Sequence, residues 1–245
     1  MDLSEKTIII TGAGSGIGRE TAIRASKQGA KVFMIDLSEE GLKETMACLE
    51  GEGHKYFAAD LTNLDTIAGI VKEIVENNGL IDGLVHCAGI SSRKPLNVLT
   101  KDGFSKVMDV NFYSFVELVR QACKKKNFLE GGSVVVMSSI SSIRGYKAKT
   151  EYCVSKAAVD AFVRCMALEL ADRKIRVNSV MAAAVNTPMA QKARETNSAV
   201  GASSFEAPLG MTEPYEVANT ILFLLSDATK TITGTSILID GGACI

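Results

Sequence analysis

Seven short apolar, β-rich runs constrain the fold more than any other feature of this chain: Thr7–Thr11, Lys31–Asp36, His54–Asp60, Ile81–Gly89, Ser133–Ser139, Ile175–Met181 and Ser236–Asp240. Most are separated by segments long enough for a helix. Leu37–Glu50 is polar with Leu42, Met46 and Leu49 at helical spacing, and Thr62–Asn78 repeats the pattern with Ile67, Ile70, Val71, Ile74 and Val75. Both read as amphipathic helices. Runs that are apolar throughout belong to strands buried on both faces, as in parallel sheets whose crossovers are helices. The expectation is a doubly wound α/β fold, a seven-stranded parallel sheet with helices on both faces. No composition shift, repeat or low-complexity tract divides the 245 residues, so one domain over 1–245 is the economical reading. The longest break in the alternation, Asn186–Leu209, contains Pro188, Gly201, Ser203, Ser204 and Pro208. Long irregular segments in compact domains are commonly functional, and this one is expected to form a substrate lid over about 187–211. Its apolar residues Met189, Ala190, Val200, Ala202 and Phe205 would line an apolar pocket.

The first apolar run ends in a glycine cluster, Thr11-Gly12-Ala13-Gly14-Ser15-Gly16-Ile17-Gly18. Glycines at a strand-to-helix junction allow a tight turn, close backbone approach to a pyrophosphate and close helix–strand packing, while the free N–H groups at the helix start attract the anion. Asp36 closes the second run, at about the 20-residue spacing expected of a ribose-binding carboxylate. This context points to a dinucleotide site. A carboxylate at that point accepts hydrogen bonds from a ribose diol and repels a 2′-phosphate. No Arg or Lys lies between Gly12 and Gly18, and Leu37 rather than a base follows Asp36. NAD is therefore favoured over NADP. A helix N-cap at Asp36 is compatible with the same role.

Further along, Glu151-Tyr152-Cys153-Val154-Ser155-Lys156 opens a helix on which Tyr152 and Lys156 share a face at i,i+4. A nearby ammonium favours phenolate and would let Tyr152 transfer a proton near neutral pH. Ser139 ends the strand run Val134–Ser138, at the carboxyl edge where ligands of open α/β sheets bind.

Taken in order, these motifs make the chain resemble a short-chain dehydrogenase/reductase from Lys6 to Gly242: Thr11, Gly12, Gly16 and Gly18, then Asp60 with Leu61, Asn111, and Ser139 13 residues before Tyr152 and Lys156. The resemblance implies a Rossmann domain and assigns roles. Tyr152 is the proton donor or acceptor at the substrate oxygen, Ser139 orients that oxygen, and Lys156 lowers the tyrosine pKa and holds the nicotinamide ribose. Asn111 supports a water relay to Lys156. For the cofactor, Ser15, Gly16 and Ile17 meet the pyrophosphate, Asp36 and Leu37 the ribose end, and Asp60 and Leu61 the adenine. Ala88 and Gly89 pass close to it, and Val185 and Thr187 meet the carboxamide end. Two family motifs are altered. The usual Asn-Asn-Ala-Gly is His86-Cys87-Ala88-Gly89, and the usual Pro-Gly after the sixth strand is Ala182-Ala183. His86 at a buried strand end reads as a structural group rather than a catalytic one.

The implied activity is NAD-dependent hydride transfer between a secondary alcohol or ketone and nicotinamide, without a metal. General similarity is greatest to 3-oxoacyl-acyl-carrier-protein reductases, which commonly use NADP; hydroxysteroid, sugar-alcohol and hydroxy-acid dehydrogenases stand beside them. A rival from another class, an NAD-sensing regulator on the same fold, would need none of Ser139, Tyr152 and Lys156. Arg144, Lys147 and Lys149 follow the serine strand, where they are read as solvated loop cations that could attract an anion. With 27 basic against 28 acidic residues, the chain has no general attraction for nucleic acid or anionic membranes. No run of 18 apolar residues or signal-peptide pattern occurs, and the six cysteines show neither CxxC pairing nor metal spacing, so a cytoplasmic setting with free thiols is expected. The segment Thr100–Lys126 carries Phe104, Val107, Met108, Phe112, Phe115, Val116 and Val119, more than one sheet-facing stripe needs. With the Tyr152 helix it is expected to pair across a two-fold axis in a homodimer or homotetramer.

Overall fold

The strands form in the predicted order and gather into one sheet. In the computed structural model, which describes residues 1–197 and 207–244, they are β1 (Thr7–Thr11), β2 (Lys31–Asp36), β3 (Lys55–Ala58), β4 (Ile81–His86), β5 (Phe128–Ser139), β6 (Arg176–Ala182) and β7 (Ser236–Ile239). All pair parallel, in the order β3-β2-β1-β4-β5-β6-β7. The helices are α1 (Gly16–Lys27), α2 (Glu39–Met46), α3 (Leu64–Asn78), α4 (Lys101–Met108), α5 (Ser114–Ala122), α6 (Thr150–Glu169), α7 (Pro188–Asn197) and α8 (Pro214–Leu225).

The pleat sends successive strand residues to opposite faces, and here both faces are covered. Ile9, Val134 and Val136 pack with Ile67 and Ile70 of α3, Phe115 of α5 and Val159 of α6. Ile8, Ile10 and Val135 pack with Ala22 of α1, Leu42 of α2 and Ile221 of α8. This two-sided burial explains the unbroken apolar runs. Strand order reverses between β1 and β4, where Thr11 lies beside Ile35 on one side and His86 on the other. A doubly wound sheet opens its ligand crevice at such a reversal.

Element limits depart from the sequence reading where side chains intervene. The second predicted helix starts at Glu39, because Ser38 rather than Asp36 is its N-cap and accepts from Gly41 N–H at 3.1 Å. The predicted helix Thr100–Lys126 is broken by a π turn at Asp109–Tyr113 and ends at Ala122. After it Asn127 turns the chain, its side chain donating to Gln121 O at 2.8 Å, so that Phe128 can enter the core as the start of β5. Strand β6 runs on through Ala182, since alanine, unlike the family's usual proline, keeps an N–H for pairing. Within the segment expected to form a lid, Pro188–Asn197 is the helix α7, while Val200, Gly201, Ala202, Ser203, Ser204 and Phe205 lie outside the described residues.

Phe115 is fully buried against α6 and stacks on His86 with ring centroids 5.3 Å apart. Phe115→Ala is expected to destabilise the fold by about 3–5 kcal/mol, the usual cost of emptying an aromatic core site. Urea unfolding followed by circular dichroism measures it, and a loss under about 1 kcal/mol would contradict this packing.

Candidate active site

The glycine loop is held open by its neighbours. Gly12 has φ +67°, and a β-carbon there would lie 2.6 Å from Ala88 N; one on Gly18 would lie 2.2 Å from the Gly12 carbonyl oxygen. Neither contact is possible, so both positions require glycine. Ser15 is the extended N-cap of α1 and makes no side-chain cap bond, and the first turn contains no acid. The N–H groups at Gly16, Ile17 and Gly18 therefore form an uncapped, dipole-positive cradle for an anion. Thr187 faces it from the other side, its Cγ2 3.3 Å from where a Gly16 β-carbon would stand.

Asp36 is built into this loop. Its Oδ2 accepts from Gly14 N–H and its Oδ1 from Ser38 N–H, both at 2.9 Å. Each carboxylate oxygen keeps acceptor capacity for a further donor. Leu37 beside it is exposed, and Arg19, which could have served a phosphate, donates instead to Gly14 O, Gly41 O and Glu44 Oε2. Asp60 is exposed at the end of β3, held below its ordinary pKa by bonds from Thr62 N–H and Oγ1. The Leu61 side chain is in the core, so its predicted contact with a ligand is confined to backbone. Val185 is buried and bridges Thr212, and Thr187 Oγ1 accepts from Ala190 N–H at the start of α7.

Tyr152, Lys156 and Ser139 converge at the carboxyl end of β5. The Ser139 hydroxyl is near enough to the Tyr152 phenol to favour its charged form, and the centroid of the Tyr152 ring lies 5.8 Å from Lys156 Nζ. Burial pushes the phenol above its ordinary value, against the lowering influence of Ser139. This departs from the expectation that Lys156 depresses it. The buried ammonium donates to Met137 O at 2.7 Å, a partner no sequence motif marks because it is a main-chain carbonyl. Burial lowers the Lys156 pKa to about 8.

Asn111 lies in the π turn with its whole amide engaged: Oδ1 accepts from Ile90 N–H at 2.7 Å, and Nδ2 donates to Ile90 O and Ser155 Oγ at 3.0 Å. The side chain locks the kink and the β4 loop together. A β-carbon on Gly89 would stand 3.2 Å from Asn111 Oδ1 and 3.7 Å from Lys156 Nζ, so this loop passes close to the Lys156 ammonium. Sequence reasoning missed Glu151, which is buried, accepts from Ser92 Oγ and pairs with Lys94 at 3.5 Å; the only signal was an acid directly before Tyr152.

The altered β4 motif has a structural replacement. Thr11 Oγ1 lies 2.8 Å from His86 Nδ1 and accepts from Ala88 N–H at 3.3 Å, while Ser114 Oγ is 3.5 Å from His86 Nε2. With Thr11 donating to Nδ1, the proton belongs on Nε2 toward Ser114, a tautomer assigned from the network. His86 thus does the tying that an asparagine amide does in the family pattern.

The cradle, the Asp36 carboxylate and the Ser139, Tyr152 and Lys156 group suit a nicotinamide dinucleotide. A family profile described as enoyl-acyl-carrier-protein reductase matches residues 12–244. The chain is 36% identical over 248 residues, all of both chains, to the 3-oxoacyl-acyl-carrier-protein reductase FabG of Thermotoga maritima. The chain belongs to the short-chain dehydrogenase/reductase family. It is also 33% identical to a 3beta-hydroxysteroid dehydrogenase of Mediterraneibacter gnavus, covering 97% of this chain and 94% of that one. A glucose/ribitol dehydrogenase-type family structure from Brucella melitensis superposes with TM-score 0.90 at 29% identity, covering 99% and 98% of the two chains. As a family member it is an oxidoreductase that uses a nicotinamide cofactor and acts on alcohol or keto groups of small molecules.

Burial drives the His86 pKa down to about 3 from 6.5. The folded state then binds fewer protons than the unfolded chain between these values, so stability is full above pH 6.5 and falls as pH drops toward 3, by about 1.4 kcal/mol per unit. His86→Asn is expected to flatten the stability–pH slope between pH 6 and 4 by that amount. Equal slopes for the two proteins in urea titrations would show that His86 is not the buried neutral group described.

Proposed function

We propose that the protein is an NAD-dependent dehydrogenase/reductase for a secondary alcohol or ketone, with Tyr152 as the general acid/base. The observation that carries this reading is the convergence of Tyr152, Ser139 and Lys156 on one edge of the sheet, next to a glycine cradle only a backbone-hugging ligand needs. When bound, the dinucleotide supplies the hydride acceptor or donor at nicotinamide C4. The chain does the rest. Ser139 Oγ and the Tyr152 phenol bracket the substrate oxygen; in oxidation Tyr152 takes the hydroxyl proton, and in reduction it returns one. Lys156 holds the ribose hydroxyls with an ammonium anchored on Met137 O, and Ser139 opposes the burial that raises the phenol pKa. Asn111 keeps Gly89 and Ile90 against Lys156, where a water would complete the proton path. Cofactor contacts follow the cradle: Gly12, Ser15, Gly16, Ile17 and Gly18 for the pyrophosphate, Asp60 and Leu61 toward the adenine, Ala88 and Gly89 along the β4 loop, and Val185 and Thr187 at the carboxamide.

NAD rather than NADP is supported by Asp36, which can accept from a ribose diol while bonded to Gly14 and Ser38, and by exposed Leu37 where a phosphate would need a base. The intact proton-transfer group weighs against a sensor. Six free thiols agree with a cytoplasmic protein. The apolar side chains Tyr113, Val154 and Leu168, exposed on the π turn and α6, support assembly as a homodimer or homotetramer.

Tyr152→Phe is expected to lose about 10²–10⁴ in kcat, while calorimetry still detects NAD binding; substantial residual kcat rules out this proton donor. The wild-type protein is expected to prefer NAD over NADP by at least about tenfold in kcat/KM, one charge-assisted hydrogen bond's worth. Asp36→Ala should narrow that ratio. Equal kcat/KM for both cofactors in the wild-type protein would reduce Asp36 to a loop anchor.

A further inference from the structure

Sequence reasoning treated the cations after β5 as solvated. The structure treats Lys149 differently. It is the N-cap residue of α6, and its ammonium lies over two aromatic rings, 5.7 Å from the centroid of Tyr146 and 5.8 Å from that of Tyr152. Lys149 is thus half-buried on the outer side of the proton-transfer residue. Arg144 covers Tyr146 as well, at 5.8 Å. Arg93, from the β4 loop, is close enough to Lys149 to act with burial in lowering its pKa.

Among the described residues no ion pair involves Arg93, Lys147 or Lys149. Glu151, the buried carboxylate at the start of α6, is engaged by Ser92 and Lys94. No side chain caps the first turn of α6, so its N–H groups add partial positive charge at the same place. The turn that delivers Lys149 is a committed one. Ala148 is left-handed at φ +63°, a conformation alanine rarely adopts, and Lys94 N–H fixes it by donating to Ala148 O at 2.7 Å. The two rings attract the ammonium, while burial and Arg93 disfavour its charge; an anion seated against Lys149 would reverse that.

We infer that the substrate carries a compact anionic group, a carboxylate or a phosphate monoester, which Lys149 binds beside Tyr152 with Arg93 adding positive charge from the β4 loop. The inference rests on the reading of Tyr152 as the group at the substrate oxygen. It places the substrate among hydroxy and oxo acids or phosphorylated alcohols, with the anion and the reacting carbinol on one small molecule. Lys149 is then a specificity residue.

The test compares kcat/KM with NAD for 3-hydroxybutyrate, sn-glycerol 3-phosphate and two uncharged counterparts, butan-2-ol and glycerol. The wild-type protein is expected to favour one of the anions over its uncharged counterpart by at least about tenfold, and the arm that responds separates carboxylate from phosphate. In Lys149→Gln that ratio should fall about tenfold, and Lys149→Arg should restore part of it. An equal loss on charged and uncharged alcohols in Lys149→Gln overturns the proposal, because Lys149 would then only brace the Tyr152 ring. Oxidation of uncharged alcohols with no anion preference overturns it too, and leaves the proton-transfer reading standing. Should no alcohol be oxidised, 3-hydroxybutyrate and glycerol 3-phosphate are titrated calorimetrically into the NAD-loaded protein. Binding lost in Lys149→Gln upholds the anion site although the reading of Tyr152 fails; no Lys149-dependent binding overturns the site.

Discussion

The site depends on the close approach of two backbone segments where strand order reverses. Gly12 and Ala88 come so near that a single β-carbon on Gly12 would meet Ala88 N at 2.6 Å. That contact brings the glycine loop of the first βαβ unit against the loop leaving β4, so the glycine cradle and the Ser139, Tyr152 and Lys156 group share one crevice. The same approach sets the demand on strand ends. Thr11 adds a side-chain tie between β1 and β4 at the last ladder bond, Cys87 N–H to Thr11 O, and its partner must accept a hydrogen bond in a fully buried position. An asparagine can do so; so can a histidine kept neutral by its surroundings, at the cost of sensitivity to acid. Phe115 stacked on the imidazole shows how the larger ring is accommodated.

Asp36 connects recognition to loop geometry. A carboxylate that only read the ribose would be free to move; this one is bonded to Gly14 N–H and Ser38 N–H, and Gly14 has no side chain because a β-carbon would lie 2.9 Å from Asp36 Cγ. The residue proposed to select the cofactor therefore also shapes the glycine cradle beside it. Arg19 closes the arrangement from the opposite side through Gly14 O and Gly41 O.

Most of the sheet was legible because its signal is simple. Residues such as Ile8, Ile9 and Ile10, buried on alternate faces of one strand, leave an apolar run that only a two-sided sheet explains. The glycine loop and Ser139, Tyr152 and Lys156 were legible because their residue types and spacing are demanded by chemistry. Illegible features depend on contacts between distant segments. The π turn at Asn111 follows from an amide held by Ile90 and Ser155, and nothing in the apolar pattern of Thr100–Lys126 marks it. The start of α2 was misplaced because two neighbouring cap residues, Asp36 and Ser38, both fit, and only the bond to Gly14 decides between them. The electrostatic state of Tyr152 was misjudged for a related reason: i,i+4 spacing establishes that Lys156 is near, but not that its ammonium is turned to Met137 O.

Helix α6 shows why the chemistry needs more than three residues. It buries four polar side chains, and each is bonded to a different part of the chain: Glu151 to Ser92 and Lys94, Ser155 to Asn111, Lys156 to Met137 O, and Asp160 to Ser138 and Ser179. An apolar face alone would let a helix slide or rotate over the sheet by a fraction of a turn with little penalty, because dispersion contacts are many and non-directional. Buried hydrogen bonds are directional, and leaving one unmade costs about 1–3 kcal/mol. The four together therefore permit one position of α6 on β5 and β6. Tyr152, Lys156 and Asp160 follow at i, i+4 and i+8, so the stripe that would serve packing in an ordinary amphipathic helix is given over to polar groups. Asp160 also raises the Lys156 pKa through its charge, partly opposing the burial that lowers it. The carboxylate that staples the strands thus helps keep the Lys156 ammonium charged, and the helix is held most tightly where the proposed proton transfer needs its position fixed.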